Sequence, residues 1–561
     1  MHDRPWLDHY DPGVPHTIDY PSISVPQMLA ESAGKNPDQP CTIFNDKVIT
    51  YREMDSLTNR LAAALIHQGI TPGERVGILL PNIPQFIMSY FAILKAGGVV
   101  VAINPQYKAQ EIEFQLNDAE IKTLIALDDK YAMLKQLQTT TPLQSIILTD
   151  LDEDHSIVAH SSFHRNEGKI YAQHTPLATN ELWLTDLIDQ QPPGAIPSVC
   201  LSPDQNALYQ YSGGTTGTPK AAIASHRNLV ANALQMRRWL VNTYDGQETV
   251  LMAIPLFHVY GMVCGMLYAI QVGAAMVLIS DPRNIPEILH CIQTYKATVF
   301  HGVPNLFNAI NQHADALSGK YQLTTIKACI SGSAPLMQAT KERFEALSGG
   351  KVCEGYGLSE APTATHCNPI LGENRAGSIG LPVPDVECRI VSLEDGVTCL
   401  PPGEAGELIL RGPQVMKGYH QRPDETRLVL RDGWLYTGDI ARMDMDGYFY
   451  LVDRKKELIK PGGFQVWPNE VEAVIASHPQ VKEVGVAGVQ DAQGSEVVKA
   501  WVVLKPGEVV TADEIQDFCR QQVVSYKVPS MIEFRSELPR TTVGKIIRRE
   551  LVRQHKESNQ P

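Results

Sequence analysis

The sequence predicts an α/β protein: a large N-terminal body, then a region of short strands, then a small α+β unit at the C-terminus. Three observations predict it. Buried-strand runs and apolar helical runs alternate from Arg75 to Ile330. Between residues 380 and 452 the pattern changes to short strands and turns. The charge also changes sign. The 561 residues carry 48 Lys+Arg against 62 Asp+Glu, a formal charge of −14, yet from Arg454 onward there are 16 Lys+Arg and 14 Asp+Glu. At roughly 150 residues per domain the chain is too long for one core.

The alternation begins with the strand run Arg75-Val76-Gly77-Ile78-Leu79-Leu80, an apolar helix over Gln85–Lys95, and Val99-Val100-Val101-Ala102-Ile103. A helical run at Glu111–Leu116 and a strand at Thr123–Leu127 follow. The rhythm resumes at Thr249–Ile254, Ala275–Ile279, Thr298–Phe300 and Ile326–Ile330. Strands separated by helices imply parallel sheets covered on their faces. Between residues 150 and 200 no periodicity stands out. His155, His160, His164 and His174 lie there without tight ligand spacing, which reads as a solvated loop rather than a metal site.

Val259 to Ser280 is 22 residues without a charge, long enough to cross a bilayer. Gln271, Gly273 and the run Ala275–Ile279 instead predict an apolar helix, a turn and a buried strand. Asp446-Gly447 marks a hairpin, although Asp444 and Asp446 faintly echo a calcium loop. After Arg454 the pattern gives a helix at Pro468–Ser477, strands at Val484–Val489 and Val497–Leu504, and a helix at Ala512–Val523.

Composition narrows the class of function. With 43% hydrophobic and 20% charged residues the chain is an ordinary globular one, and its acidity argues against nucleic acid as a partner. Ten scattered cysteines with no C-x-x-C pair read as reduced thiols of a cytoplasmic protein. Met1–Trp6 has no basic region before an apolar core, so no secretory signal is expected.

Five segments carry candidate chemistry. Ser212-Gly213-Gly214-Thr215-Thr216-Gly217-Thr218-Pro219-Lys220 combines bare backbone N–H groups, hydroxyls and a lysine, a set suited to phosphate oxygens. It is not a Walker loop, and alone it reads equally well as a flexible turn. In Glu354-Gly355-Tyr356-Gly357-Leu358-Ser359-Glu360, a tyrosine between glycines can face a flat ring and a glutamate can hold Mg²⁺. Asp439, in Tyr436-Thr437-Gly438-Asp439, offers a carboxylate to a ribose diol or to solvent. Asp453 to Phe464 is a charged segment that ends in a glycine turn, and Pro539 to Ile546 puts Lys545 on an exposed-looking loop.

In this order and at these separations, the segments resemble the acyl-adenylate-forming superfamily. That group comprises acyl-CoA synthetases, firefly-type luciferases and the adenylation domains of peptide synthetases. The resemblance runs from Ile49 to Lys545 and includes Leu94–Gly98, Pro255-Leu256-Phe257-His258, Ser331–Leu336 and Gly406–Gly412. Within the superfamily the chain looks most like bacterial long-chain fatty-acid–CoA ligases, through Arg4-Pro5-Trp6-Leu7, Tyr10, Pro15 and the Glu354–Glu360 string.

The resemblance implies a layered α/β N-terminal domain with a small β-barrel-like part, residues 1–453, and a mobile C-terminal domain, residues 454–561. It implies ATP, Mg²⁺, coenzyme A and a fatty acid as cofactors and substrates. Ser212, Gly213, Gly214, Thr215, Thr216, Gly217 and Lys220 would hold phosphates, and Thr216 and Glu360 would hold Mg²⁺. Gly332, Ser333, Ala334, Glu354, Gly355 and Tyr356 would frame adenine, with Gly357 and Ser359 beside them. Asp439 and Arg454 would take the ribose hydroxyls, and Lys545 would bridge the attacking carboxylate and the α-phosphate. Lys456 would be the hinge, and Lys460, Gly462, Gly463 and Phe464 would face coenzyme A. His258 would stand between the nucleotide and acyl sites, or be a satisfied buried histidine. Gly261, Met262, Gly265 and Gly332 would leave room for the acyl chain.

The chain departs from the family pattern at Gly213, Thr215 and Ser359, and it lacks the tryptophan that gates some long-chain members. Three alternatives stay open: medium-chain or aromatic acids as substrates, an enzyme that hands its adenylate to a carrier protein, and a non-catalytic acyl or nucleotide carrier. Peripheral contact with the inner membrane face and a homodimer also stay open.

Overall fold

Two large, mostly parallel sheets form the body of the protein, as the alternation of strands and helices predicts. The computed structural model describes residues 4–151, 181–212, 219–461, 464, 466–491, 495–541 and 546–558. One sheet has eight strands, with Asn206–Ser212, Val99–Ala102, Arg75–Leu79 and Thr123–Leu127 adjacent and parallel at its centre. Lys220–Ser225 turns back antiparallel on Asn206–Ser212. The other sheet has nine strands. Its parallel centre includes Thr249–Met252, Val299–Phe300, Ala328–Ser331 and Lys351–Leu358, and Ala361–Cys367 adds an antiparallel strand.

The local signals explain the helices of the core. Thr50 and Glu53 form a capping box for Tyr51–His67. Proline starts the helix Pro84–Lys95, in which every residue is buried. That helix tolerates a buried lysine because Lys95 Nζ reaches Asp55 Oδ1 at 2.6 Å, with Thr58 and Asn59 also accepting. The same core contains Val259 to Leu278. There a π-helix, Tyr260–Leu267, runs into the helix Tyr268–Val272, and Gly273 closes it at φ +68° before the strand Ala275–Leu278. Among the described residues no helix is long and apolar enough to cross a membrane.

The short-strand region is a five-stranded antiparallel sheet built on Glu387–Val391, Gly406–Arg411, Trp434–Met443 and Phe449–Arg454. The hairpin at Asp446-Gly447 forms as expected. Asp444 and Asp446 face a cation there, but it is the Arg375 guanidinium, at 2.7 and 2.6 Å. The small C-terminal lobe has its own core around Ile459, Val471, Val486 and Ile515, and a sheet of Val481–Gln490, Glu496–Leu504 and Met531–Phe534. Its helices are Pro468–Ala476, Ala512–Arg520 and Arg548–Ser558.

One expectation needs correction. The stretch from 150 to 200 is not all loop: Glu181–Trp183 is an edge strand of the eight-stranded sheet, and Leu184–Asp189 is a helix that buries Leu184, Leu187 and Ile188. A three-residue strand is too short to show a period. The four histidines at 155, 160, 164 and 174 lie outside the described residues. All ten cysteines are free thiols, and eight of them are buried.

Candidate active site

A cavity of about 60 Å³ opens where three strands of the nine-stranded sheet meet the π-helix. Its lining includes Gly332, Ser333, Gly355, Tyr356 and Gly357, together with Met236, His258, Tyr260, Cys264, Ala364, His366 and Cys367. The glycines are steric requirements. A Cβ on Gly357 would lie 1.5 Å from the Thr363 carbonyl oxygen, and one on Gly332 would press at 3.2 Å on the Tyr260 ring. The strands therefore close tightly and Tyr356 is left as the one large side chain between Gly355 and Gly357. Ser333 takes a left-handed φ of +71° as the chain leaves its strand, the kind of strained conformation that clusters at functional sites.

Tyr356 leads to the two residues expected for the ribose. Its phenol donates to Asp439 Oδ2 at 2.6 Å, and Asp439 Oδ1 meets Arg454 Nε at 3.1 Å. The strands Trp434–Met443 and Phe449–Arg454 put Asp439 directly opposite Arg454. Burial, then the Asp439 charge, push the Tyr356 phenol well above its usual range, so it is a donor at neutral pH. Asp439 is the first cause that raises the Arg454 guanidinium, and Tyr356, Glu457 and Glu360 add to it.

A second cluster gathers around a residue that the sequence does not single out. Tyr419 donates its hydroxyl to Glu360 Oε1 at 2.8 Å, and its ring lies 5.4 Å beneath Lys220 Nζ. Lys220 is also 4.0 Å from Glu425. Tyr419 belongs to the edge strand Gly418–Tyr419, paired to Lys220–Ser225, so only the fold brings it between the lysine and the glutamate. Ser212 stands opposite Lys220 at the base of the glycine-rich loop. Gly213, Gly214, Thr215, Thr216 and Gly217 lie outside the described residues. The Glu360 carboxylate is a hard oxygen donor beside this cluster, which fits Mg²⁺ in chemistry.

Glu354 is not a cavity residue: its carboxylate accepts the N–H groups of Leu336 at 3.0 Å and Gly377 at 3.2 Å, and burial raises its pKa against those bonds. It fixes the loop that carries Ser333 and Ala334, and Ala334 itself is outside the cavity lining. Ser359 and Glu360 form the turn between the strands Lys351–Leu358 and Ala361–Cys367. His258 lines the cavity and accepts the Tyr260 N–H on Nδ1 at 3.2 Å; burial pushes it down to about 4, so it is neutral.

The expected acyl room is differently built. Gly261 abuts the Pro255 carbonyl and Gly265 the Met252 side chain, while Met262 is wholly buried, so these three pack the core. From that helix Tyr260 and Cys264 face the cavity instead, because the i→i+5 bonding of a π-helix widens each turn and rotates the exposed face.

On the small lobe, Lys456 lies in the one-turn helix Lys455–Glu457. The Lys460 N–H donates to Glu496 Oε2 at 2.9 Å, and Phe464 is half-exposed and stacked on Tyr526, with ring centroids 4.6 Å apart. Gly462, Gly463 and Lys545 lie outside the described residues. The ends of the Lys545 loop are tied together: Arg540 bridges Ile546, and the Ile547 N–H donates to the Pro539 carbonyl at 2.8 Å.

The chain has relatives among known proteins. The long-chain-fatty-acid–CoA ligase of Bacillus subtilis (strain 168) is 39% identical, over 99% of each chain. That of Escherichia coli O6:H1 is 36% identical over 97% of each. The crystal structure of ATP-bound MatB from Rhodopseudomonas palustris superposes with a TM-score of 0.83 at 26% identity, over 96% of this chain and 100% of that one. The apo form of MatB, with the same coverage, gives 0.72. Residues 29–420 match the AMP-binding enzyme family, and residues 470–545 match the AMP-binding enzyme C-terminal domain. The chain belongs to the AMP-binding enzyme family.

Proposed function

We propose that this chain activates a fatty acid with ATP and transfers the acyl group to coenzyme A, releasing AMP and pyrophosphate. One observation carries the reading: Tyr356, in the lining of the glycine-rich cavity, leads through Asp439 to Arg454, and Glu360, just past the end of the same strand, leads through Tyr419 to Lys220. The first group suits a nucleoside and the second a polyphosphate.

In the first step a carboxylate oxygen attacks the α-phosphorus and pyrophosphate leaves. Like charges meet there, so catalysis rests on fixed cations and donors rather than on a base. Lys220 and the loop 213–218 hold the β- and γ-phosphates. Lys545 bridges the carboxylate and the α-phosphate. Glu360 and Thr216 would hold Mg²⁺, which supplies charge neutralisation on the phosphates. Tyr356 and the Gly332–Ala334 loop frame the adenine, while Asp439 and Arg454 orient the ribose. Neutral His258 stands between the nucleotide and the acyl group.

In the second step the coenzyme A sulfur attacks the acyl carbon and AMP leaves. A boundary at Arg454 lets residues 454–561 turn about Lys456, so that Lys545 withdraws and the Lys460–Phe464 turn approaches the thiol. Palmitate, ATP, Mg²⁺ and coenzyme A should give AMP and palmitoyl-CoA in equal amounts. Formation of ADP, or pyrophosphate release without consumption of coenzyme A, contradicts the proposal.

A second reading, a ligase for medium-chain or aromatic acids, is favoured by the small cavity of about 60 Å³ that Met236, Cys264 and Ala364 help to line. A panel of C6 to C18 acids with two aromatic acids separates the two readings.

A further inference from the structure

The backbone passes from the large lobe to the small one through the turn Lys455–Glu457, which follows the strand Phe449–Arg454 and precedes the small-lobe core at Ile459. A single crossing leaves the orientation of a lobe to the side chains that bridge it. Asp453 stands just before that turn, with its side chain fully buried. Its Oδ2 accepts the Asn469 N–H at 2.7 Å, and its Oδ1 lies 3.3 Å from Arg548 Nη1. The Asn469 side chain also donates to the Val452 carbonyl at 3.0 Å. Asn469 lies in the first helix of the small lobe, and Arg548 begins its last, three residues beyond Lys545.

Arg548 has further partners: Glu472, at 2.6 and 2.9 Å, with Glu457 and the Asn469 side chain. All three follow Lys456 in the chain and would move with the small lobe. Asp453 would not. The guanidinium is therefore satisfied on its own side of the turn and holds one buried carboxylate on the other.

We propose that Asp453 is a latch across the hinge: it grips Arg548 and the Asn469 N–H to hold the small lobe in the adenylation orientation, and it must let go before the coenzyme A step. This rests on the two-step reading above. The orientation is assigned from the superposition, which is better with ATP-bound than with apo MatB. Because Arg548 keeps Glu457 and Glu472 when it leaves Asp453, opening does not strand an unpaired guanidinium in the interior. Asp453 is thus a positioning residue, acting through the helix that follows Lys545.

Asp453→Asn in the full chain keeps the shape of the side chain and an acceptor for Asn469, and removes the charge that faces Arg548. Glu472→Gln is the control, since it removes an Arg548 partner that does not cross the turn. Tryptic cleavage after Lys455 and Lys456 reads the orientation without reference to activity. Acid-dependent exchange of pyrophosphate into ATP reads adenylation, and thioester formation from synthetic acyl-AMP and coenzyme A reads the second step. Asp453→Asn should speed cleavage and slow exchange, each by about tenfold, and leave the thioester step at its original rate or faster. Glu472→Gln should leave cleavage and the ratio of the two half-reactions unchanged. Normal cleavage and exchange in Asp453→Asn, or the same changes in Glu472→Gln, would overturn the latch. If the unaltered protein makes no thioester from acyl-AMP, the two-step reading fails instead, and the cleavage rates still decide whether Asp453 sets the orientation.

Discussion

The Tyr356 hydroxyl lies 2.6 Å from Asp439 Oδ2, which joins the strand Lys351–Leu358 of one sheet to the first strand of the Asp446-Gly447 hairpin in another. That bond aligns the carboxylate proposed to hold the ribose. Tyr356→Phe keeps the ring and removes the donor, a loss of about 1 kcal/mol, or roughly fivefold. The KM for ATP should rise by that factor while the far-UV circular dichroism is unchanged; an unaltered KM would show that the bond does not orient Asp439 for the nucleotide.

Tyr419 links the cation and the carboxylate of the phosphate cluster. Tyr419→Phe retains a ring beneath Lys220 but frees Glu360 Oε1. The Mg²⁺ concentration for half-maximal rate should rise by about tenfold, and Glu360→Gln should raise it by about a hundredfold, as expected for losing a ligand's orienting partner and a charged ligand respectively. Equal responses to Mg²⁺ in the original chain and in Glu360→Gln would remove Glu360 from the metal.

Lys545→Ala separates the half-reactions. Loss of a cation aimed at developing charge should lower adenylation by about a hundredfold or more. Thioester formation from preformed acyl-AMP should be spared, because Lys545 is not needed there. Equal loss of both steps, measured by pyrophosphate exchange and by acyl-CoA yield, would contradict a role confined to the first.

Burial pushes His301 down to about 4, against an ordinary value of roughly 6.5 for an unfolded chain. The folded protein therefore holds His301 neutral while the unfolded chain takes up a proton. The stability that depends on this is complete above pH ~6.5 and is lost as the pH falls toward the folded value. His301→Phe removes the titration. Its stability relative to the original chain should improve by about 1 kcal/mol per pH unit between pH 6 and 5 in urea melts. Any packing cost of phenylalanine is independent of pH, so a flat difference would show that His301 is not a buried neutral imidazole.

The sequence exposes most of the architecture because the buried parallel strands are long apolar runs: Arg75–Leu79, Val99–Ala102 and Thr123–Leu127 appear at or within a residue of their predicted limits. The short edge strands Glu181–Trp183 and Gly418–Tyr419 carry no period and become visible only through pairing. The candidate site divides in the same way. Tyr356, Asp439 and Arg454 stand in glycine-marked or charged segments, and they meet in space. Tyr419, Cys264 and His366 look like ordinary strand and helix residues until the sheets close around them. Gly261 and Gly265 mislead for a related reason: glycine spacing shows that something approaches closely, without showing whether it is an acyl chain or, as found, Pro255 and Met252.

The central claim is that the acid becomes an adenylate before it becomes a thioester. Palmitate labelled with ¹⁸O in both carboxyl oxygens tests it directly, through the mass spectrum of the nucleotide after turnover with ATP, Mg²⁺ and coenzyme A. Attack of the carboxylate on the α-phosphorus, followed by departure of AMP from the acyl carbon, leaves one carboxyl oxygen on the phosphate, so each AMP should carry one ¹⁸O. AMP without label, with the ¹⁸O in pyrophosphate or inorganic phosphate instead, would contradict it.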